Sequence, residues 1–270
     1  MKFLLKPNKK AYFVSDLHLR MSPDEDSRRR EKKFVRWLDA VKDDAGIIFL
    51  LGDIFDFWFE YRYVVPRGFV RLLGKLGELT DAGVEIHCFT GNHDMWTRDY
   101  LSVETGVTLH RDPAECTING KAFLLGHGHG LGTVALGERL LIAVFRSRLL
   151  KRLFSNLHPR WMIAFGCAWA KSNRKRHGWT EKFDSIDREA IAVYAREQLK
   201  RKHYDFFVFG HRHLAMDVHL SEKSRYVNTG EWVNHDTFAV FDGNDLLLRS
   251  FTGDAQPAVT DADAGERAMK

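Results

Sequence analysis

Five short polar clusters punctuate this chain, each directly after an apolar run: SDLH (15–18), LGDIFDFW (51–58), GNHD (91–94), GHGH (126–129) and GHRH (210–213). They supply carboxylate, amide and imidazole groups, the side chains that hold divalent cations of the Mn²⁺ type. Residues scattered from position 16 to position 213 can meet only if the fold brings strand ends together. In open α/β sheets that meeting place lies beyond the carboxyl ends of the strands. Asp16 and His18 are two residues apart, as are His211 and His213, so on an extended strand end each pair points to one side and can grip one ion. Glycines at 52, 91, 126 and 210 allow the tight exits. A lone DxH or HxH is more often an ordinary surface or core pair. Five clusters in this arrangement are not.

The segments around the clusters fit such a fold. AYFVS, a charged helix over 26–41, GIIFLLG, a helix over 67–82 and VEIHCFTG form a βαβαβ pattern. The run GIIFLLG is apolar throughout and VEIHCFTG mostly so, rich in β-branched and aromatic residues, as expected of strands covered on both faces. Asn119 and Gly120 separate two strand-like runs, which predicts a hairpin with a type I′ turn. Beyond position 177 the pattern predicts a helix over 181–202, the strand DFFVFG, and further strands in AMDVHL, RYVNTG and TFAVFDG, the last paired with DLLLRSF. Residues 254–270 are poor in apolar groups and read as a disordered tail.

The middle of the chain differs from the rest. Ten Lys and Arg lie within 139–176 with no Asp or Glu, whereas elsewhere acidic residues outnumber basic ones. Phe145, Phe154, Trp161, Phe165, Trp169 and Trp179 are interleaved with this charge, a combination suited to an anionic membrane interface or to nucleic acid. Leu141, Val144, Phe145 and Leu149 follow helical spacing, and on one continuous helix Arg148 and Arg152 would fall inside the same apolar arc. Long Arg side chains can snorkel from such a surface toward water or phosphate. The segment reads as a basic, amphipathic helical lid over 133–176, inserted in a core formed by 1–132 and 177–253.

Several classes are excluded. With 44% hydrophobic residues, 20 Phe and 7 Trp, the chain is not intrinsically disordered. No stretch approaches the ~20 apolar residues of a membrane span, and the run Phe3, Leu4, Leu5 is too short for a signal-peptide core. Cys88, Cys116 and Cys167 are widely spaced and unpaired by motif, which fits a reducing cytoplasm better than a disulfide framework or thiolate zinc site.

In this order the motifs DxH, GD, GNH, GH and GHxH resemble the signature of the calcineurin-like dinuclear metallophosphoesterases, from Tyr12 to about Phe251. The resemblance implies an α+β fold of α-β-β-α type: two packed mixed β-sheets flanked by helices, here with a helical lid insertion. By motif position it also implies two divalent ions, expected to be Mn²⁺, with Asp53 bridging. One ion would take Asp16, His18, Asp53 and His213, the other Asp53, Asn92, His127 and His211. Two such ions, ~3.5 to 4 Å apart, can generate hydroxide and clamp an in-line phosphoryl transition state. His93, beside Asp94, would stabilise or protonate the leaving oxygen. Asp56 would stand behind the ligands, and His129 would be either a residue behind them or an alternative ligand.

Within that family, GDIFDFW, GNHDMW and a helical insert between the GH and GHxH motifs are most similar to the UDP-2,3-diacylglucosamine hydrolases of lipid A synthesis. That resemblance implies water attack on the α-phosphate of a lipid-linked UDP-sugar, releasing UMP and 2,3-diacylglucosamine 1-phosphate, with acyl chains held beneath the insert. It further implies a cytoplasmic enzyme at the anionic inner-membrane surface, docked by its lid, with no nucleic-acid partner. The chain departs from that subgroup in having GNHD for GNRD and His127-Gly128-His129 for HGD. The phosphate contact of the missing arginine would then fall to Arg148, Arg174, Lys175 or Arg176, and Lys171, Ser172, Asn173 and Arg174 form a candidate substrate-binding strip. Two rival readings are a family phosphodiesterase acting on nucleotides or nucleic acid and a non-catalytic membrane adaptor. Because the full predicted ligand set is present, the second is the weaker.

Overall fold

Alternate residues of the central strands enter two different cores, which is why these strands are apolar at nearly every position. The computed structural model describes residues 1–21, 24–132, 136–177 and 185–253; within the insert, the side chains at 136–139, 141, 148 and 173–177 also lie outside the description. In chain order the elements are β1 (Lys2–Phe3), β2 (Lys10–Val14), α1 (Glu25–Val41), β3 (Ala45–Leu50), α2 (Val70–Asp81), β4 (Glu85–Phe89), α3 (Tyr100–Thr105), β5 (Thr108–His110), β6 (Ala114–Ile118) and β7 (Lys121–Gly126). Then follow α4 (Leu136–Arg146), α5 (Arg148–Phe154), α6 (Pro159–His177), α7 (Ala190–Leu199), β8 (Phe206–Phe209), β9 (Ala215–Ser221), β10 (Ser224–Thr229), β11 (Thr237–Phe241) and β12 (Leu246–Ser250).

The strands form two six-stranded sheets, ordered β1-β6-β7-β8-β10-β9 and β12-β11-β2-β3-β4-β5. Both are mixed: β2, β3, β4 and β5 run parallel, β11 and β12 antiparallel, and in the other sheet β7, β8 and β10 are parallel. Phe13, Ile47 and Phe49 meet Phe123, Leu125 and Val208 between the sheets. Their neighbours Tyr12, Ile48 and Leu50 face the other way, onto Phe34 and Trp37 of α1 and Leu72 and Leu76 of α2. The second sheet is covered outside by Ile191, Ala192 and Ala195 of α7. The result is the expected helix-sheet-sheet-helix layering.

Local chemistry sets the boundaries. Asp24 caps α1 by accepting a hydrogen bond from the Ser27 amide at 2.9 Å. The second helix starts at Val70, three residues later than its apolar pattern suggests, because Phe69 is left-handed with φ 60°. Similarly, α7 starts at Ala190, not 181; residues 185–189 form a turn and 181–184 lie outside the described residues. Asn119 and Gly120, at φ 49° and 83°, make the hairpin turn between β6 and β7. The short elements β1, α3 and β5 have no counterpart in the sequence pattern.

Between β7 and β8 the chain leaves the sandwich for α4, α5 and α6. The continuous arc joining Leu141 to Leu149 does not exist. The fourth helix ends at Arg146, and Ser147 caps α5, accepting from the Leu150 amide at 3.4 Å. Arg148 and Arg152 therefore belong to a different helix from Val144 and Phe145, and no single apolar stripe has to accommodate them. Met162, Gly166 and Ala170 form the buried face of α6, a repeat of four residues that keeps one side against the core. Leu140, Leu149, Leu153, Leu157, Trp161 and Phe165 are exposed, Trp161 at 69%. Among the described residues no helix is long and apolar enough to cross a membrane. Trp179 and the 254–270 tail fall outside the description.

Candidate metal centre

The five clusters come together where the carboxyl ends of β2, β3 and β4 in one sheet meet those of β7 and β8 in the other. Asp16, His18 and His213 offer ligand atoms within 4.8 Å of one another, as do Asp53, His127 and His211, and His18, Asp56 and His93. Asp53 Oδ2 lies 3.2 Å from His127 Nε2 and 3.8 Å from His18 Nε2, so one carboxylate oxygen faces both histidines of the two main groups. Asn92 Oδ1 sits 3.2 Å from His127 Nε2 and joins the second group. His211 and His213 thus divide between the groups instead of gripping one ion as a pair.

The alternation of an extended strand does not produce this arrangement. Asp16, His18, Asp53, His211 and His213 all have left-handed backbones, with φ of 55°, 46°, 51°, 73° and 51°. Such residues are uncommon outside glycine and carry strain that surrounding structure must hold. Here the holding contacts are visible. Asp16 and His18 donate their amides to the carbonyls of Gly52 (3.1 Å) and Asp53 (2.9 Å). The buried guanidinium of Arg30 donates to the carbonyls of Leu17 at 2.9 Å and His18 at 3.0 Å. His211 donates its amide to Asp16 Oδ2 at 2.9 Å, and Ser15 Oγ donates to the same oxygen. That leaves Asp16 Oδ1 buried without a hydrogen bond, 3.1 Å from His213 Nε2.

Ring orientation follows the same logic. His127 presents Nδ1 to the Leu51 carbonyl at 2.8 Å and His93 presents Nδ1 to the Asp56 carbonyl at 2.9 Å, which leaves each Nε2 toward the centre. Asp56 Oδ1 lies 3.5 Å from His18 Nδ1, behind a ring whose Nε2 faces Asp16. Asp94 is placed differently from its expected catalytic position beside His93. Its Oδ1 accepts from the Gly91 amide at 2.6 Å and its Oδ2 from Ile54 at 2.9 Å, so it ties two ligand loops together. Gly91 has to be glycine because a Cβ there would lie 2.1 Å from Asp53 Oδ1.

The centre favours positive charge. Burial works against the Asp53 and Asp16 carboxylates, yet the facing imidazoles hold both well below the usual carboxylate range. Burial also opposes charge on His18 and His127, but Asp16, Asp56 and Asp53 raise them to about 10 and about 9. Burial and the Asp53 charge push Asp94 up to about 7. A buried set of carboxylates, imidazoles and an amide oxygen, in which Asp16 Oδ1 accepts no hydrogen bond among the described residues, fits divalent cations.

The insert closes one side of this centre. Trp169 of α6 lies 5.1 Å from the His93 ring and 5.4 Å from Phe145 of α4, and Trp96 Nε1 donates to the Phe145 carbonyl at 2.8 Å. Phe57, Met95 and Phe165 complete an apolar slot beside Asn92 and His93. Nothing local in the sequence links Trp169 to His93; only the docking of α6 does. His129 stands behind His127, ring centres 5.5 Å apart, and belongs to none of the three ligand groups. Lys171 and Ser172 are exposed and line neither the slot nor the larger cavity next to the centre. The side chains of Arg148, Asn173, Arg174, Lys175 and Arg176 lie outside the described residues.

The calcineurin-like phosphoesterase family model matches residues 9–215. A UDP-2,3-diacylglucosamine hydrolase from Porphyromonas gingivalis is 39% identical over 254 residues, covering 89% of this chain and 97% of that protein. Proteins of the same name from Haemophilus influenzae and Aeromonas salmonicida are 28% and 26% identical, covering 83% and 89% of this chain and 91% and 92% of their own lengths. The match spans all five clusters. Sequence and geometry agree that the chain belongs to the calcineurin-like phosphoesterases.

Proposed function

We propose that this metal-dependent hydrolase cleaves the pyrophosphate of UDP-2,3-diacylglucosamine at its α-phosphate, giving UMP and 2,3-diacylglucosamine 1-phosphate for lipid A synthesis. The observation that carries the reading is an aromatic slot built directly against a cation-seeking centre. A phosphate-reactive site needs no Phe57, Trp96, Phe145 and Trp169 beside it unless the substrate has an apolar half. The name shared by relatives up to 39% identical supports the same substrate.

Asp16, His18, Asp53 and His213 would hold one divalent ion, and Asp53, Asn92, His127 and His211 the other. Mn²⁺ suits this mixture of carboxylate, imidazole and amide oxygen. Bound there, such ions would supply an activated water and charge neutralisation for the phosphate. The chain's own residues do the rest. His93, as the imidazolium with its Nδ1–H given to the Asp56 carbonyl, would pass the proton on Nε2 to the departing sugar phosphate oxygen. Asp94, Ser15 and Arg30 keep the ligand loops in register, and the slot excludes water on the His93 side.

Residues 133–176 act as a lid on a core of 1–132 and 177–253. The exposed Leu149, Trp161 and Phe165, with exposed Arg152 and Arg160 between them in the sequence, suit an anionic membrane surface on which a diacylated substrate resides. The enzyme would thus be cytoplasmic and peripherally bound to the inner membrane. The test is UMP release from UDP-2,3-diacylglucosamine with Mn²⁺, beside a generic aryl phosphodiester and an EDTA control. Rapid, metal-dependent UMP release is expected. Diester cleavage without UMP release would leave the two-ion chemistry and remove the substrate assignment.

A further inference from the structure

The two flanks of the metal centre differ in chemistry. On the His93 flank the described insert residues that line the slot, Phe145, Phe165, Gly166 and Trp169, are apolar. On the His127 flank lies a cavity of about 590 Å³, between α4 of the insert and α7, whose walls carry Arg111, Arg146, Tyr194, Gln198 and Glu115 among apolar groups. Arg111 is fixed there by donating to the carbonyls of Thr97 at 3.3 Å and Arg98 at 3.0 Å, and Arg146 pairs with Asp112 at 3.3 Å. His129 lines the cavity with a buried Nδ1 that has no hydrogen-bond partner. A buried polar atom of this kind costs free energy unless a ligand or water meets it. An acyl chain would leave it unmet and would also strip water from two arginines and two carboxylates.

We infer that this cavity binds the pyrimidine nucleotide half of the substrate, which would fix the substrate's direction across the metal centre. The inference rests on the UDP-sugar reading. A uracil edge offers one donor and two acceptors, which the Gln198 amide can answer, and the Tyr194 ring supplies a flat face. Arg111 and Arg146 supply positive charge for the anionic end, and His129 lines the wall behind His127. With the nucleotide on this flank, the α-phosphorus faces the ligand groups and the bridging oxygen to the sugar phosphate points toward His93. When water's oxygen bonds to that phosphorus, the bridging P–O bond breaks toward His93, the residue positioned to supply its proton. The acyl chains then leave past the aromatic side chains of the His93 flank, where the slot itself holds only about 10 Å³. Direction, cleaved bond and proton donor follow from one asymmetry.

The experiment measures product inhibition of the Mn²⁺-loaded full chain by UMP and, separately, by 2,3-diacylglucosamine 1-phosphate. Gln198→Ala and Tyr194→Ala are compared with wild type, and Gln198→Glu serves as a second, isosteric variant. Losing one buried hydrogen bond should weaken UMP inhibition about tenfold, with the lipid product's constant moving less than twofold. Unchanged UMP inhibition in an enzyme that turns over the substrate would overturn the cavity assignment while leaving the proposed function standing. Weakened inhibition by the lipid product alone would place an acyl chain here and also overturn it. An enzyme that neither hydrolyses the substrate nor binds UMP would remove the function reading and this inference with it.

Discussion

Gly166 is the most informative single position for the lid. A Cβ there would lie 2.3 Å from Cε2 and Cζ of Phe57, whereas carbon atoms rest at about 3.5 Å or more. Gly166→Ala therefore requires α6 and the Phe57 ring to separate by more than about 1 Å. The ring cannot easily give way, since it is buried and packed edge-on against Trp96 with centres 6.1 Å apart. Overpacking of this kind costs about 1–3 kcal/mol. Lifting the insert relieves the clash but carries Trp169 away from His93. If the closed form loses about 1.4–2.8 kcal/mol, its population relative to the open form falls about 10- to 100-fold. The assay is kcat/KM for UDP-2,3-diacylglucosamine divided by that for an aryl phosphodiester, which has no acyl chains to enclose. The ratio should fall at least tenfold. In an exposed helix the same substitution would be stabilising by about 0.5–1 kcal/mol. A raised Tm with an unchanged ratio would refute the reasoning.

Other perturbations probe separate parts of the molecule. Asp53→Ala removes the carboxylate that faces both His18 and His127; bound Mn²⁺, counted by elemental analysis, and UMP release should collapse together, and retention of both would sink the bridging role. Arg30→Met leaves the Leu17 and His18 carbonyls without their donors, at about 1–3 kcal/mol for each buried group. Mn²⁺ titration should show affinity about tenfold weaker, partly recovered in Arg30→Lys, and wild-type affinity in Arg30→Met would contradict a role in holding the loop. His87, buried against His110 with their nitrogens 3.0 Å apart, is pushed down to about 4 by burial and then by its neighbour. It is neutral in the folded chain, while the unfolded chain takes up a proton below about pH 6.5. Stability should thus fall as pH drops from 6.5 toward 4, by as much as about 3 kcal/mol from this group. His87→Gln should flatten that part of the urea-midpoint profile, and an identical profile in the variant would exclude His87 as its source.

The ligand types were legible in the sequence because carboxylate, amide and imidazole recur at apolar run ends. Their geometry was not. Strand alternation was a sound reason to expect Asp16 and His18 on one side, yet both lie past the end of β2 with positive φ. No local signal marks a left-handed Asp or His, since it is imposed from a distance by Arg30 and by the amide of His211. The layering was readable for the opposite reason: a run such as GIIFLLG has no polar face to turn to water, which forces two covered faces. In the insert, a helical spacing from Leu141 to Leu149 concealed a break that Ser147 marks with its cap. Contacts such as Trp169 on His93 depend on how whole helices dock, and side-chain spacing carries no trace of them.

The left-handed ligands explain why the centre lies between the sheets instead of on one. Each strained residue costs about 1–3 kcal/mol, and a loop leaving one strand could relax that strain by moving away. Cross-ties prevent it. His211 donates its amide to Asp16 Oδ2 at 2.9 Å, His127 donates Nδ1–H to the Leu51 carbonyl at 2.8 Å, Ser15 Oγ lies 2.7 Å from Thr229 Oγ1, and Trp232 donates to the Asp16 carbonyl at 3.1 Å. A loop from either sheet is therefore held by the other, and both sheets are locked by the ring stack of Phe13 on Phe49 and Phe123, at 4.9 and 5.8 Å. The strain is sustained by the burial of the inter-sheet core, so the positions of the ligand atoms report on that packing. In this fold, the large apolar core and the small polar centre are one mechanical system.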